Sequence, residues 1–405
     1  MKNITIIGVN YYPEDSAIGL YSTQKAEYLS SKGFNVSVIT GFPYYPHWKI
    51  NKDYIDKNKF LFEEINGVKV YRYKQYVPEN PTFIKRIKHI ISFTKGSYFN
   101  LKKVEKPDLV ISIVPFTSGI LLGWLLKRKH KSRLWVHIQD FEFDAAFESG
   151  LISKNKAQIF KLLFNIERFL LKKADVISTI SNGMLSKLKS KVSREGYYLT
   201  NWLDTSKFQM EFEEAHPFLN DAGKFKILYS GNIGAKQDWE VFFSFLDKLK
   251  GHDDVEVVVV GEGANRKQVQ SKLNDYDFAS YYQPVPFEDL PKMLKSADLH
   301  VLFQKDDVID TVMPSKILGM MGSGKPSLVT GNMESEVKQI FDKSSAGFYF
   351  SNNQIDEMEK TVLELKENKS LQKQLGESAK NFVIDNYSKH VVLDNFIKEI
   401  NSLLK

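Results

Sequence analysis

The chain alternates short apolar runs with longer stretches in which apolar residues recur every three or four positions. The runs Ile4–Val9, Asn35–Thr40, Val68–Tyr73, Leu109–Val114, Leu134–Gln139 and Val176–Ser178 predict buried strands. Tyr21–Lys32 and Gln158–Lys173 carry the helical period between them. Around Leu203–Gly223 the pattern lapses into polar, Pro-containing sequence and then restarts. Phe225–Ser230, Val255–Val260, Ser280–Gln283, Leu299–Phe303 and Pro326–Thr330 predict strands; Glu240–Leu249, Ala264–Leu273, Leu290–Ser296 and Lys316–Met321 predict helices. The tail from Gln354 to Lys405 is helical. This alternation predicts an α/β protein with two successive doubly wound, Rossmann-like domains, 1–204 and 205–385. A last helix, about 386–405, is expected to pack back on the first. Sheets of this kind bind ligands beyond the C-terminal ends of their strands, here expected in a cleft across which the domains face each other.

One run tests that picture. Leu109–Leu126 carries no charge over eighteen residues, the length of a membrane helix. Pro115, Thr117, Ser118 and Gly119 interrupt it and split it into a strand, a turn and a buried helix start. The opening MKNITIIGVNYYPE has too short an apolar run for a signal peptide and reads as a first strand. With 405 residues, 42% of them hydrophobic, two full cores are within reach. Cysteine is absent, which excludes disulfides, thiolate nucleophiles and Cys-based zinc sites.

Charge divides the chain. Residues 1–204 hold 32 Lys+Arg against 18 Asp+Glu, a net +14; the remainder holds 24 against 31, a net −7. Two halves of opposite sign are expected to face different partners.

Three loops after second-half strands suit a diphosphate. Ser230–Lys236, which includes Asn232, follows a strand; its glycines Gly231 and Gly234 let backbone come close, and Lys236 can neutralise phosphate. Gly261-Glu262-Gly263 follows VEVVVV. Met313-Pro314-Ser315-Lys316 opens a helix, whose N-terminus attracts anions. Each alone is an ordinary turn. No loop is a Walker or GxGxxG motif, which argues against ATP hydrolysis and dinucleotide binding. In the first half, Ser16-Ala17-Ile18-Gly19 follows strand one. His137 to Asp144 ends a strand with His, Asp, Glu and Asp. His137 and Gln139 share a face, and Asp140 lies at the mouth. His137 or Asp140 is suited to position an acceptor hydroxyl or take its proton; a core histidine is an equally good reading of His137. The spacing is poor for a metal, and none is expected.

At these residues the chain resembles the family 4 glycosyltransferases, and within them the capsule and exopolysaccharide (colanic acid) type. The resemblance rests on NYYPEDSAIGLYS, TGFPYYPHW, HIQDFEFDA, YSGNIGAKQ, VVGEG and MPSKILGMMGSGKP. It implies a GT-B fold and a retaining, metal-independent transfer with no cofactor. The donor, a UDP-type nucleotide sugar, is bound mainly by the second domain and a saccharide acceptor mainly by the first. By position His137 matches the histidine near the reacting sugar, with Asp140 beside it. Gly19 and Ser230–Lys236 match the diphosphate loops. Gly261–Gly263 and Pro284–Phe287, including Val285, match the base and ribose region. Asn232 stands where the family commonly has Arg, and Gln237 where it has Lys. Gly319 stands in place of a ribose-binding Glu, with Thr311 eight residues earlier; Asp310 or Glu262 is expected to take over.

Residues 81–106 interleave Lys85, Arg86, Lys88, Lys95, Lys102 and Lys103 with isoleucines and aromatics. That pattern suits an anionic membrane surface, each charge adding about 1 kcal/mol. Lys127–Lys131 and Arg133 form a second cluster. A solvated helix face reads the same way; nucleic acid is not expected, because no recognition motif accompanies the charge. A cytoplasmic enzyme peripheral to the membrane, with a polyprenyl-diphosphate-linked acceptor, is the expectation. A nucleotide-sugar epimerase, or a non-catalytic nucleotide-sugar binder, is the alternative.

Overall fold

The computed structural model describes residues 1–15, 17–144, 157–308 and 315–405. The chain divides into two compact units. The first is Met1–Thr200 with Leu393–Lys405, the second Asn201–Val392. The break thus falls four residues before 204, and the return to the first unit starts at 393 rather than 386.

The first unit is built on an eight-stranded sheet: β1 (Asn3–Ile7), β2 (Asn35–Gly41), β3 (Phe60–Ile65), β4 (Val68–Tyr73), β5 (Leu109–Val114), β6 (Arg133–Ile138), β7 (Val176–Thr179) and β8 (Tyr197–Tyr198). The order across it is β3-β4-β2-β1-β5-β6-β7-β8. Only the edge pair β3–β4 is antiparallel. β5 is buried along its whole length, as a strand covered on both faces must be. The uncharged run therefore ends its strand at Val114 and continues as the helix Ser118–His130.

The periodicity missed β3. Its sequence FLFEEI does not alternate, and its side chains are half-buried or exposed. The turn after it was legible: Asn66 and Gly67 both have positive φ, and Ile65 pairs with Val68. This is the two-residue hairpin that Asn-Gly favours.

The second unit carries six parallel strands: β9 (Phe225–Ser230), β10 (Val255–Val260), β11 (Ala279–Tyr282), β12 (Leu299–Phe303), β13 (Ser327–Thr330) and β14 (Gly347–Phe350). Their order is β11-β10-β9-β12-β13-β14. Helix Trp239–Leu249 shows how the core is specified. Asp238 caps it by accepting from Val241 N, and Phe242, Phe245, Leu246 and Leu249 line its buried face. Each such side chain contributes about 1.5–3 kcal/mol.

The tail is helical as expected, in three helices, Ile355–Glu367, Lys369–Tyr387 and Lys389–Leu403, the last starting close to the 386 boundary expected for it. Its last break has a cause. Leu203 N donates to Tyr387 O and Lys389 N donates to Leu203 O, so a strand-like bridge displaces one helical turn.

Candidate functional site

In the second unit the strand order reverses between β9 and β12, which places the switch point at the loop after β9. That loop is zipped to the one after β10. Gly231 N donates to Val260 O at 2.9 Å and Ile233 N to Glu262 O at 2.9 Å. A Cβ on Gly261 would lie 2.0 Å from Gly231 O, and one on Gly263 2.3 Å from Ile233 O. These two glycines are therefore required by backbone contact, beyond any role in a turn. Gln237, at the position where the family often has Lys, is buried and closes the loop: Gly234 N donates to its side-chain oxygen at 2.9 Å. Asn232 and Lys236 are exposed on the outside of the loop.

Lys316, second residue of the helix Ser315–Gly322, approaches the same loop. Its ammonium donates to Tyr229 Oη at 3.2 Å and lies 4.6 Å from the ring centroid. Its Nζ would stand 3.5 Å from a Cβ on Gly231. Tyr229 in turn donates to Asn232 O at 2.7 Å. Burial lowers the Lys316 pKa to about 7. Sequence singled out Lys316 but gave no sign of its desolvation or of Tyr229.

Glu262 is exposed and turns to Arg266, 3.4 Å away. Val285 packs on the cluster of Leu219, Val258, Val260 and Met293. A side chain at Gly319 would start 3.3 Å from Leu294. Asp310, Thr311 and Pro314 lie outside the described residues, as does the Ser315 side chain.

In the first unit the structure disperses the His137–Asp144 group. His137 is 1% exposed within β6. Its Nδ1 lies 2.9 Å from Ser178 Oγ and its Nε2 3.0 Å from the Gln139 amide nitrogen. Since an amide N–H only donates, Nε2 accepts and Nδ1–H donates to Ser178, which also accepts from Trp135 Nε1 at 2.8 Å. Burial, then Lys25, pushes the His137 pKa well below its ordinary value. His137 is thus a neutral core side chain with both ring nitrogens engaged, and its partner Gln139 lies just past the end of β6. Asp140 is half-buried at the strand end. Glu142 accepts from Thr117 N at 2.8 Å at the start of helix Ser118–His130, and burial raises its pKa to about 7. Asp144 pairs with Lys187 and Lys191.

The loops after β1 and β2 line a half-open pocket of about 190 Å³, walled by Glu14, Asp15, Tyr44, Tyr45, His47 and Lys49, among others. Glu14 organises it. One carboxylate oxygen accepts from Tyr44 N and Tyr45 N, the other from Asn10 Nδ2, all at 2.8 Å. Burial raises its pKa in spite of these bonds. Gly19 serves this packing: it lies in the first turn of helix Ala17–Ser31, and a Cβ there would be 2.7 Å from Glu14 Cβ.

Beneath the pocket, Arg72 is fully buried. It donates to Glu63, to Gly41 O and to Tyr12 O. Sequence reasoning passed over Glu14 and Arg72. Alternation did place Arg72 on one face with buried Val68 and Val70, a signal that a buried cation was present.

Of the six membrane-suited cations, four lie on helix Phe83–Asn100. Arg86 stacks over Trp48 at 5.2 Å and Lys103 over Phe60 at 4.7 Å. Lys88, Lys95 and Lys102 are exposed, and Lys85 is half-buried. Among the described residues no helix is long and apolar enough to cross a membrane.

Comparison with known proteins defines the class first. Sucrose-phosphate synthase from Thermosynechococcus elongatus superposes with a TM-score of 0.73 at 13% identity, over 100% of this chain and 99% of that one. HepE from Anabaena in complex with UDP-glucose does so at 0.67 and 11%, over 99% and 100%. The fold is GT-B. The family models "Glycosyl transferase 4-like domain" and "Glycosyl transferases group 1" match residues 16–196 and 211–382. The putative colanic acid biosynthesis glycosyl transferase WcaI of Escherichia coli (strain K12) is 31% identical over 349 residues, 83% of this chain and 85% of that protein. The chain belongs to the family 4 glycosyltransferases.

Proposed function

We propose that this glycosyltransferase moves a hexosyl group, with retention and without a metal or cofactor, from a UDP-type nucleotide sugar to a lipid-linked saccharide in capsule or exopolysaccharide assembly. The observation that carries the donor half is the second unit's switch point. There the zipped loops 231–236 and 261–263 meet the desolvated Lys316 ammonium, with Lys236 exposed nearby. Among the described residues no carboxylate pairs with this ammonium, and a diphosphate would supply the counter-charge. Asp310, Pro314 and Ser315 complete the donor site in this reading, with Glu262 and Val285 beside the nucleoside. The acceptor half rests on the Glu14 pocket together with Gln139 and Asp140 at the end of β6. His137 acts by positioning Gln139. Two similar proteins support the reading: WcaI is named for colanic acid biosynthesis, and HepE was solved with UDP-glucose. The basic, apolar helix Phe83–Asn100 supports a place at the inner face of the plasma membrane, where a polyprenyl-diphosphate carrier would present the acceptor.

The test is to incubate nucleotide sugars with and without a polyprenyl-diphosphate-linked saccharide. Acceptor-dependent release of nucleoside diphosphate is expected. Conversion of the donor alone to an epimer would make the protein an epimerase. Donor binding with neither reaction, across a panel of acceptors, would make it a non-catalytic binder.

A further inference from the structure

Exposed large apolar side chains are unevenly distributed. Among the described residues eighteen are exposed, and nine of them sit on three helices of the first unit: Phe83–Asn100, Ser118–His130 and Ala157–Leu171. The second unit contributes only Met210 and Met333. Scattered exposed apolar residues are normal, but a concentration of this kind marks an interaction surface.

Topology puts the three helices side by side. The connections β4 to β5, β5 to β6 and β6 to β7 all step the same way across the sheet. Right-handed crossovers then place their helices on one face. The central helix Ser118–His130 packs against both others, and Phe83 meets Phe160 at 6.2 Å across the outer pair.

Each helix is apolar outward as well as inward. Helix Phe83–Asn100 buries His89, Phe93, Gly96 and Ser97 and turns out Ile84 (64% exposed), Ile87 and Ile91 (61%). Helix Ala157–Leu171 buries Phe160, Glu167 and Leu170 and turns out Leu162 (60%), Ile166 and Phe169 (50%), one stripe at i, i+4 and i+7. Leu121 is exposed between them. A helix apolar on both sides needs a second apolar phase. The rim identifies that phase. Trp124 meets Phe169 edge-on at 5.8 Å, Arg128 lies over Trp124, and Lys173 lies over both rings. With Lys88 and Lys95, these cations border the stripes on long stems that can reach outward while the aliphatic parts stay low. Aromatic rings with Lys and Arg at their edge are the chemistry of an anionic lipid–water boundary.

We propose that these three helices form one docking face for an anionic bilayer, with Leu162, Ile166 and Phe169 inserting alongside Ile84, Ile87 and Ile91. This rests on the lipid-linked acceptor proposed above and assigns an insertion role to helix Ala157–Leu171 that the basic stretch 81–106 alone does not.

The test is flotation with vesicles of phosphatidylglycerol mixed with phosphatidylcholine, against pure phosphatidylcholine. Wild type, Ile87→Glu/Ile91→Glu and Leu162→Glu/Ile166→Glu are compared. Circular dichroism and an unchanged UDP thermal shift check folding, because the donor site proposed above lies in the second unit, away from the substituted helices. Wild type is expected on anionic vesicles only, and both variants should lose about tenfold or more in partitioning. Wild-type binding by Leu162→Glu/Ile166→Glu, with loss confined to Ile87→Glu/Ile91→Glu, would overturn the three-helix face and leave the membrane reading of 81–106 standing. No preference of wild type for anionic vesicles would overturn both. A wild-type dimer in solution that the Leu162 variant converts to monomer, without vesicle binding, would assign the face to self-association instead.

Discussion

Lys316 turns the donor reading into a proton count. The side chain is half-buried, with its ammonium against Tyr229 and Gly231, and burial lowers its pKa to about 7. Suppose a diphosphate oxygen carrying one negative charge settles about 4 Å away. At an effective dielectric near 20 the attraction is about 4 kcal/mol, which corresponds to a rise of about three pKa units. The ligand complex then keeps its proton up to about pH 10, whereas the free protein loses it near about 7. Between those values binding takes up one proton, and affinity for UDP falls about tenfold for each unit that pH rises. The ligand's own phosphate ionises near about pH 6, below this window. In the free protein the sign is opposite. The unfolded chain binds more protons than the native one between about 7 and 10, so stability rises with pH there.

Titration calorimetry at several pH values, in two buffers of different ionisation enthalpy, reads both affinity and proton uptake. Lys316→Arg keeps its charge throughout the range and should flatten the profile. Lys316→Met should flatten it and weaken binding near neutral pH. Wild-type affinity that is constant from pH 7 to 9, with no proton uptake, would refute the placement of diphosphate at Lys316.

Two further outcomes follow from the packing. Gly261→Ala forces a methyl to within 2.0 Å of Gly231 O; it should cost about 1–3 kcal/mol in denaturant unfolding and abolish the UDP thermal shift, and a wild-type shift would show that the loop pair is not the diphosphate cradle. His137→Ala leaves Ser178 and Gln139 short of a partner in a buried cavity, so it should destabilise by about 2–4 kcal/mol. Because burial holds the imidazole neutral, wild-type turnover should show no histidine limb between pH 6 and 8; a limb near 6.5 that disappears in His137→Gln would restore His137 as an acid–base group.

The apolar period determined much of this protein directly. The buried strands β5, β10 and β12 were legible because both of their faces meet helices, and the loops at 231–236, 261–263 and 316 were singled out because all three follow strands of one domain, although each alone is an ordinary turn. Two kinds of feature escaped. The edge strands β3, β8 and β14 were not read: β3 lacks a continuous apolar face, with the Asn66-Gly67 turn as its cue, and β8 and β14 are short and only half-buried. The roles of polar residues depended on what the fold brought near them. His137 and Asp140 are three positions apart, yet pairing with β7 seals His137 against Ser178 while Asp140 lies at the strand end. Gln237 reads as a missing lysine until its oxygen is found on Gly234 N. Periodicity records only whether a position is covered. Which atom covers it, and how much water is removed from a charge such as Lys316, is decided by residues far away in sequence, and only the folded chain supplies them.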